Sequence, residues 1–401
     1  MQIANNRTGI YAQARRAIIR PIKNIGIRPC TDRLTASDVE TVTRFMRDGN
    51  VRFRDDYGLA LKVLAKGQSP RVAVIKPPII DTLRPGVLVP NYAFANGLGE
   101  IFEVPMMATL NKAGTPRLHD YALGSLLYAV VHLGTRIVIP IYPAEKSNGV
   151  VLVEIEAIKA QIEAALKNSK ANVEPENITY VIAQFNQYAG TMKVKHFAGP
   201  EEKGMLQELR SGNKMFKEDE RVREWFAHLN GKNTMTKPHC LIISCSDSRV
   251  VPEIIYNFGI GEAIVIRTAG NIIGGTEPDP EFAGLLKQAV NEYGITTIII
   301  AGHTHCGAIK ATEMDKDTLG NEPQAVQRVV QDVRSSMGAD DKLIRENEQR
   351  NAVQQARLVE EVLRKEGIAI RGTEGVFVLP MVFDLETGRY GLVEIKPGYT
   401  Y

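Results

Sequence analysis

His239-Cys240-Leu241-Ile242-Ile243-Ser244, followed at once by Cys245-Ser246-Asp247-Ser248-Arg249, decides how this chain is read. The first six residues form a short apolar run ending in a small polar residue. That is the pattern of a buried parallel strand whose C-terminal tip delivers Cys245 and Asp247. A second such run, Thr297-Ile298-Ile299-Ile300-Ala301-Gly302, leads straight into His303-Thr304-His305-Cys306-Gly307. Between them, Phe282 to Val290 carries helical apolar spacing and closes at Tyr293-Gly294, a C-cap. The unit is strand, helix, strand. Both polar groups fall at strand C-terminal ends, where open α/β sheets bind ligands.

Cys245, His303 and Cys306 supply two thiolates and an imidazole, and Asp247 stands beside Arg249. Zinc prefers sulfur and nitrogen donors in a four-coordinate set. Two Cys and one His leave a fourth position open, which is the pattern of a catalytic rather than a closed structural site.

Cys-x-Asp-Ser-Arg with a downstream His-x-x-Cys resembles the β-class carbonic anhydrases. Arg210-Ser211-Gly212-Asn213 with Phe216 is similar to the family's leading helix, Arg267-Thr268-Ala269-Gly270-Asn271 to its loop after the second strand, and Phe383-Asp384-Leu385-Glu386-Thr387-Gly388 to its closing hairpin. The resemblance covers roughly residues 201 to 401. It implies one Zn²⁺ per chain on Cys245, His303 and Cys306. Asp247 is then either a fourth ligand or the partner of Arg249 in a catalytic dyad. His305 is expected to be structural or to support a ligand from behind, and His239 to be structural. Some members carry an inhibitory bicarbonate site built on a tryptophan three residues before the first zinc cysteine; Ile242 stands there in this chain.

The recognised unit fills only half of 401 residues. An internal repeat accounts for the rest. Arg47-Asp48-Gly49-Asn50-Val51-Arg52-Phe53 mirrors Arg210 to Phe216, and Ser69 to Ile75 mirrors the strand before Cys245. Gly99-Glu100-Ile101-Phe102 mirrors Gly261-Glu262-Ala263-Ile264. Leu126 to Gly134 mirrors the helix ending at Gly294, and Phe185-Asn186 to Gly190 echoes Phe383-Asp384 to Gly388. In this register Pro77 replaces Cys245, Pro143 replaces His303 and Lys146 replaces Cys306. Proline offers no donor, and lysine must lose its proton to bind. No cysteine lies between Cys30 and Cys240, so the first copy cannot hold the same site. The helical stretch around 310 to 370 has no counterpart there. The expected fold is therefore α/β, with two tandem β-carbonic-anhydrase-like units, each a mainly parallel sheet flanked by helices. The expected organisation is a basic lead segment (1–34), a degenerate copy without zinc ligands (35–200) and a catalytic copy (201–401).

Charge is nearly balanced, with 49 Lys and Arg against 46 Asp and Glu, and it is not gathered in runs; nucleic acid is not indicated. No apolar run approaches the ~18 residues that span a bilayer, so no membrane partner is expected. Four cysteines do not make a disulfide framework, and two are better explained as metal thiolates, which suits a reducing, cytoplasmic compartment. The first thirty-one residues hold Arg7, Arg15, Arg16, Arg20, Lys23 and Arg28 without an acidic side chain. They are read as a basic lead helix, with an organellar transit peptide as the alternative.

The function that the resemblance implies is reversible hydration of carbon dioxide to bicarbonate and a proton. Zinc lowers the pKa of bound water towards ~7. Two thiolates cancel the metal's formal charge, so neighbouring hydrogen bonds should matter for acidifying that water. The alternatives are hydrolysis of carbon disulfide or carbonyl sulfide with the same zinc set, and a noncatalytic zinc-stabilised scaffold. Members pair two subunits around the active-site cleft. The first copy is therefore expected to serve as an intramolecular pseudo-partner, with further homo-oligomerisation left open.

Overall fold

The computed structural model describes residues 39–76, 84, 86–96, 98–105, 108–110, 116–232, 236, 238–337, 346–370 and 375–393. The basic segment 1–34 and Pro77 lie outside them. The first half runs α1 (Val39–Leu64), β1 (Val72–Lys76), α2 (Pro90–Ala93), β2 (Ile101–Pro105), a small hairpin β3 (Ala108–Leu110) and β4 (Pro116–Leu118), then α3 (Asp120–His132), β5 (Ile137–Pro143), α4 (Asn148–Lys167), β6 (Thr179–Asn186) and β7 (Thr191–Ala198). The second half runs α5 (Lys203–Glu218), α6 (Glu220–Lys232), β8 (Cys240–Cys245), α7 (Pro252–Ile255), β9 (Ala263–Thr268), α8 (Pro280–Asn291) and β10 (Thr297–His303). It continues through α9 (Gly307–Ala311), α10 (Lys316–Gly320), α11 (Gln324–Met337), α12 (Asn347–Lys365), β11 (Phe377–Phe383) and β12 (Tyr390–Leu392).

Each half builds a five-stranded sheet flanked by helices, and the two sheets share one topology. The first orders its strands β2-β1-β5-β6-β7; the second, read from its β9 edge, β9-β8-β10-β11-β12. In both, the first four strands are parallel and the last is antiparallel. The central strands are rich in Ile and Val and buried on both faces, as parallel strands covered by helices must be.

Strand register relates the halves residue by residue. Arg71 N–H donates to Glu100 O as His239 N–H donates to Glu262 O. Ala73 pairs with Val138 where Leu241 pairs with Ile298. Counting along these strands puts Pro143 in the place of His303 and Lys146 in that of Cys306. Lys146 is engaged in its own ion pair, Nζ to Glu154 Oε1 at 2.8 Å. The turns after β6 and β11 also correspond. Asn186 and Asp384 each accept two backbone N–H bonds through Oδ1, and Gly190 and Gly388 close the turns at φ 63° and 69°. The sequence ends the second long strand at Gly302. Pairing with Phe383 of β11 carries it one residue further, so His303 is itself a strand residue.

The two leading helices are exchanged. Asn50 of α1 donates to Gly388 O of the second half at 2.9 Å, while Asn213 of α5 donates to Ala93 O and Gly190 O of the first. One glycine per helix permits the approach. A Cβ at Gly49 would collide with the carbonyl of Tyr256, and one at Gly212 with the carbonyl of Phe94. One apolar core runs through the junction, from Val42, Met46 and Phe53 of α1 to Ile242, Val265 and Phe383 of the second sheet.

Replacement of Gly212 by alanine puts a methyl group against backbone that cannot move as a side-chain tip can. The expected cost is about 1–3 kcal/mol, as for overpacking a close-fitted core. Urea unfolding of Gly212→Ala against the parent checks it. Gly284→Ala, on a helix face where an added Cβ meets nothing within 4 Å, should show no such loss.

Candidate metal centre

β8 and β10 are parallel neighbours, with Ser244 opposite Ala301. Their last residues, Cys245 and His303, therefore emerge side by side. His305 adopts a left-handed conformation (φ 57°), turning the chain so that Cys306 returns as the residue preceding α9. Thr304 N–H donates to Phe383 O and anchors the turn to the neighbouring strand.

One ligand atom from each of Cys245, His303 and Cys306 lies within 4.8 Å of the others, and all three residues are buried. The two sulfurs are 3.8 Å apart. Sulfurs ~2.3 Å from one tetrahedral zinc stand about that far from each other. The His303 ring places Nδ1 2.9 Å from Thr304 O, where its N–H donates; Nε2 is then the lone-pair nitrogen, buried with no hydrogen-bond partner among the described residues. An acceptor nitrogen without a donor, facing two sulfurs, is what a soft divalent cation fits. A hydrogen bond from the Cys306 thiol holds the Cys245 thiol well below its ordinary pKa, against a desolvation that works the other way.

Asp247 is held by Arg249 as a two-pronged pair. Nε donates to Oδ1 at 2.9 Å and Nη2 to Oδ2 at 2.6 Å, and the Arg249 amide also donates to Oδ1. Oδ2 lies 3.8 Å from His303 Nε2. Burial alone would raise the Asp247 pKa; the hydrogen bonds and charge of Arg249 overcome it and hold the carboxyl below its usual range. Arg267 braces the loop from behind, donating to Cys245 O, Asp247 O and Val250 O.

The first half of the chain reaches into this site. Gln68, just before β1, donates from Nε2 to Asp247 Oδ2 at 2.9 Å and accepts from both the amide and the hydroxyl of Ser248 through Oε1. Leu64 O accepts from Arg249 Nη1 at 3.3 Å. Tyr128 of α3 lies against Gly307, where a Cβ would strike its hydroxyl. Burial, and then the charges of Cys306, Asp247 and Cys245, raise its pKa, so it stays a neutral phenol. A solvent-open cleft of about 550 Å³ is lined from one side by Gln68, Tyr128 and Leu133 and from the other by Arg249, His305 and Cys306.

The structure thus brings together Cys245, His303 and Cys306 and sets the Asp247–Arg249 pair beside them. His305 points outward to Glu386. His239 sits at the opposite end of β8, where burial pushes its pKa down to about 4. Gln68 and Tyr128 are absent from the sequence reading. They lie 179 positions from Asp247 and Gly307 respectively and carry no local signature; only the expected correspondence of the helix ending at Gly134 and the strand from Ser69 could have pointed to them.

Residues 240–390 match the family model described as carbonic anhydrase. Carbonic anhydrase of Pseudomonas aeruginosa is 44% identical over 79 residues, 20% of this chain and 36% of that protein. Carbonic anhydrase 2 of Mycobacterium tuberculosis is 38% identical over 84 residues, 21% of this chain and 38% of that one. The chain spans little more than a third of the length of these curated relatives. Among solved structures, the β-carbonic anhydrase CcaA aligns with 47% of this chain and 94% of its own, at 23% identity and a TM-score of 0.38. The family model and these curated relatives are both described as carbonic anhydrases.

Arg249→Ala leaves a carboxylate that is 1% exposed without its guanidinium. Breaking a buried pair from one side costs about 3–5 kcal/mol. Denaturation of the variant should show a loss of that order, and Asp247→Asn in the same background should recover part of it.

Proposed function

We propose that this chain catalyses the reversible hydration of carbon dioxide to bicarbonate and a proton, with one zinc per chain on Cys245, His303 and Cys306. The observation that carries the reading is the donor triangle beside a carboxylate that Arg249 and Gln68 hold away from solvent. Carbon dioxide needs a nucleophile and a small pocket; it has no leaving group. Zinc, when bound, acts as a Lewis acid that acidifies water towards neutral pH. The remaining work falls to the protein. Asp247, kept ionised by Arg249, presents a fixed acceptor at the edge of the donor triangle and orients the hydroxylic reactant. A carboxylate held so firmly in its charged form is a poor carrier for the product proton, which leaves by another route. The alternative in which Asp247 itself ligates zinc through Oδ2 competes with the two hydrogen bonds that this oxygen accepts, from Arg249 Nη2 and Gln68 Nε2. The arrangement described therefore supports the dyad.

We further propose that residues 35–200 are a degenerate copy of residues 201–401 that acts as a covalently attached pseudo-partner, behind a lead segment 1–34. Shared strand order, matched turns and exchanged helices support this. So does the division of parts: the second half carries the metal donors, while the first supplies Gln68 and Tyr128 to the same cleft.

Stopped-flow hydration by the zinc-loaded chain at mildly alkaline pH tests the activity. Turnover should be rapid, lost in Cys306→Ala, and reduced about 10–100-fold in Gln68→Ala, as for outer-shell partners of a metal site. Absence of turnover with zinc bound would sink the reading; carbon disulfide hydrolysis in its place would identify the sulfur-substrate enzyme. Metal analysis of the same protein should find one zinc per chain.

Residues 201–401 expressed alone would expose Ile242, Val265 and Phe383 from the shared core. The fragment is expected to aggregate or self-associate, and to lack full activity even when zinc-loaded. A stable, fully active monomeric fragment would count against the pseudo-partner.

A further inference from the structure

The sulfur of Cys245 accepts a hydrogen bond from the amide of Gly270 at 3.4 Å. That amide belongs to the turn Ala269–Asn271, in which Gly270 (φ 69°) and Asn271 (φ 50°) both take the left-handed conformation. So short a turn does not fix its own peptide planes. Two side chains of α12 fix them. Asn351 Nδ2 donates to Gly270 O at 2.7 Å, while Gln355 accepts from Ile273 N–H at 2.8 Å and donates to Gly274 O at 3.0 Å. On the opposite flank, Ser125 of α3 accepts from Ala269 N–H at 2.9 Å. Asn351 and Gln355 are almost completely buried, and neither touches a metal donor. The Ser336 hydroxyl of α11, shared with Val333 O, lies 2.6 Å from Asn351 Oδ1 and sets which end of the amide faces Gly270.

We propose that Asn351 and Gln355 are positioning residues for the metal centre. They lock the turn 269–274 so that the Gly270 amide stays aimed at the Cys245 sulfur. This rests on the reading of Cys245 as a zinc ligand. Two thiolates donate enough charge to blunt the Lewis acidity of the cation they bind. An N–H held against one of them draws charge back, and outer groups of this kind tune metal sites strongly. Gln355 holds the far end of the turn, and Asn351 holds the peptide next to the sulfur.

The test uses the full chain loaded with cobalt(II) or with zinc, comparing the parent with Asn351→Ala and Asn351→Asp. The expected result is a thiolate-to-cobalt charge-transfer band moved to lower energy, because the sulfur lone pairs lose their donor. Zinc affinity by chelator competition should weaken about 10–100-fold. An unmoved band and parental zinc affinity in folded variants would overturn the proposal. So would lowered thermal stability of the metal-free protein as the sole change, since that is what a merely structural asparagine would give. If both Asn351 variants fail to fold, Ser336→Ala, which removes only the group that orients the amide, is read in the same two assays by the same criteria. A parent chain that binds cobalt with no thiolate band would sink the metal reading itself, an outcome distinct from a parental band left unmoved by substitution.

Discussion

Everything in this molecule hangs on the reciprocal exchange of α1 and α5. Each helix leaves its own half and closes the hairpin and short-helix surface of the other, with asparagine against a turn carbonyl and glycine against a helix-end carbonyl. The backbone approach tolerates no Cβ at Gly49 or Gly212. Only then does Gln68, anchored between α1 and β1, land on Asp247 and Ser248. The geometry of the Cys245–His303–Cys306 triangle is local to β8 and β10, whereas the carboxylate beside it, clamped by Arg249 of the same half, takes a further hydrogen bond from Gln68 of the far half.

The donor triangle and its strands were legible because both signals are short-range. An apolar run ending in Cys245, and another ending in His303 and Cys306, put the ligands at adjacent parallel strand tips by topology alone. The likeness between the two halves was legible at residues whose conformation or close packing is special, such as Gly49 and Gly212 or Gly190 and Gly388, where few other residue types fit. Gln68, Tyr128 and Asn351 were not legible. A glutamine before a strand, a tyrosine on a buried helix face and an asparagine within a helix are each ordinary until tertiary packing aims them. The Asp247–Arg249 pair lies between these cases: its members could be named from sequence, but the direction in which the carboxylate faces depends on Gln68 and on the desolvated surroundings.

The buried loop 269–274 shows how polar groups are accommodated in such a core. Thr268, Ser125, Asn351 and Gln355 satisfy its backbone from three different elements. A buried N–H or C=O without a partner costs about 1–3 kcal/mol, so each of these side chains is constrained by the loop as much as the loop is by them. The second half needs α11 and α12 for this purpose, and the single helix α4 stands between the corresponding strands of the first.

The exchanged helices have a consequence for how the cleft responds to dilution. A cleft assembled from two separate chains comes apart once their concentration falls below the dissociation constant. Here both walls belong to one polypeptide, and the connection between β7 and α5 is only a few residues long. Tethering of that kind gives an effective concentration in the millimolar range. The two walls of this cleft therefore stay together however dilute the protein is.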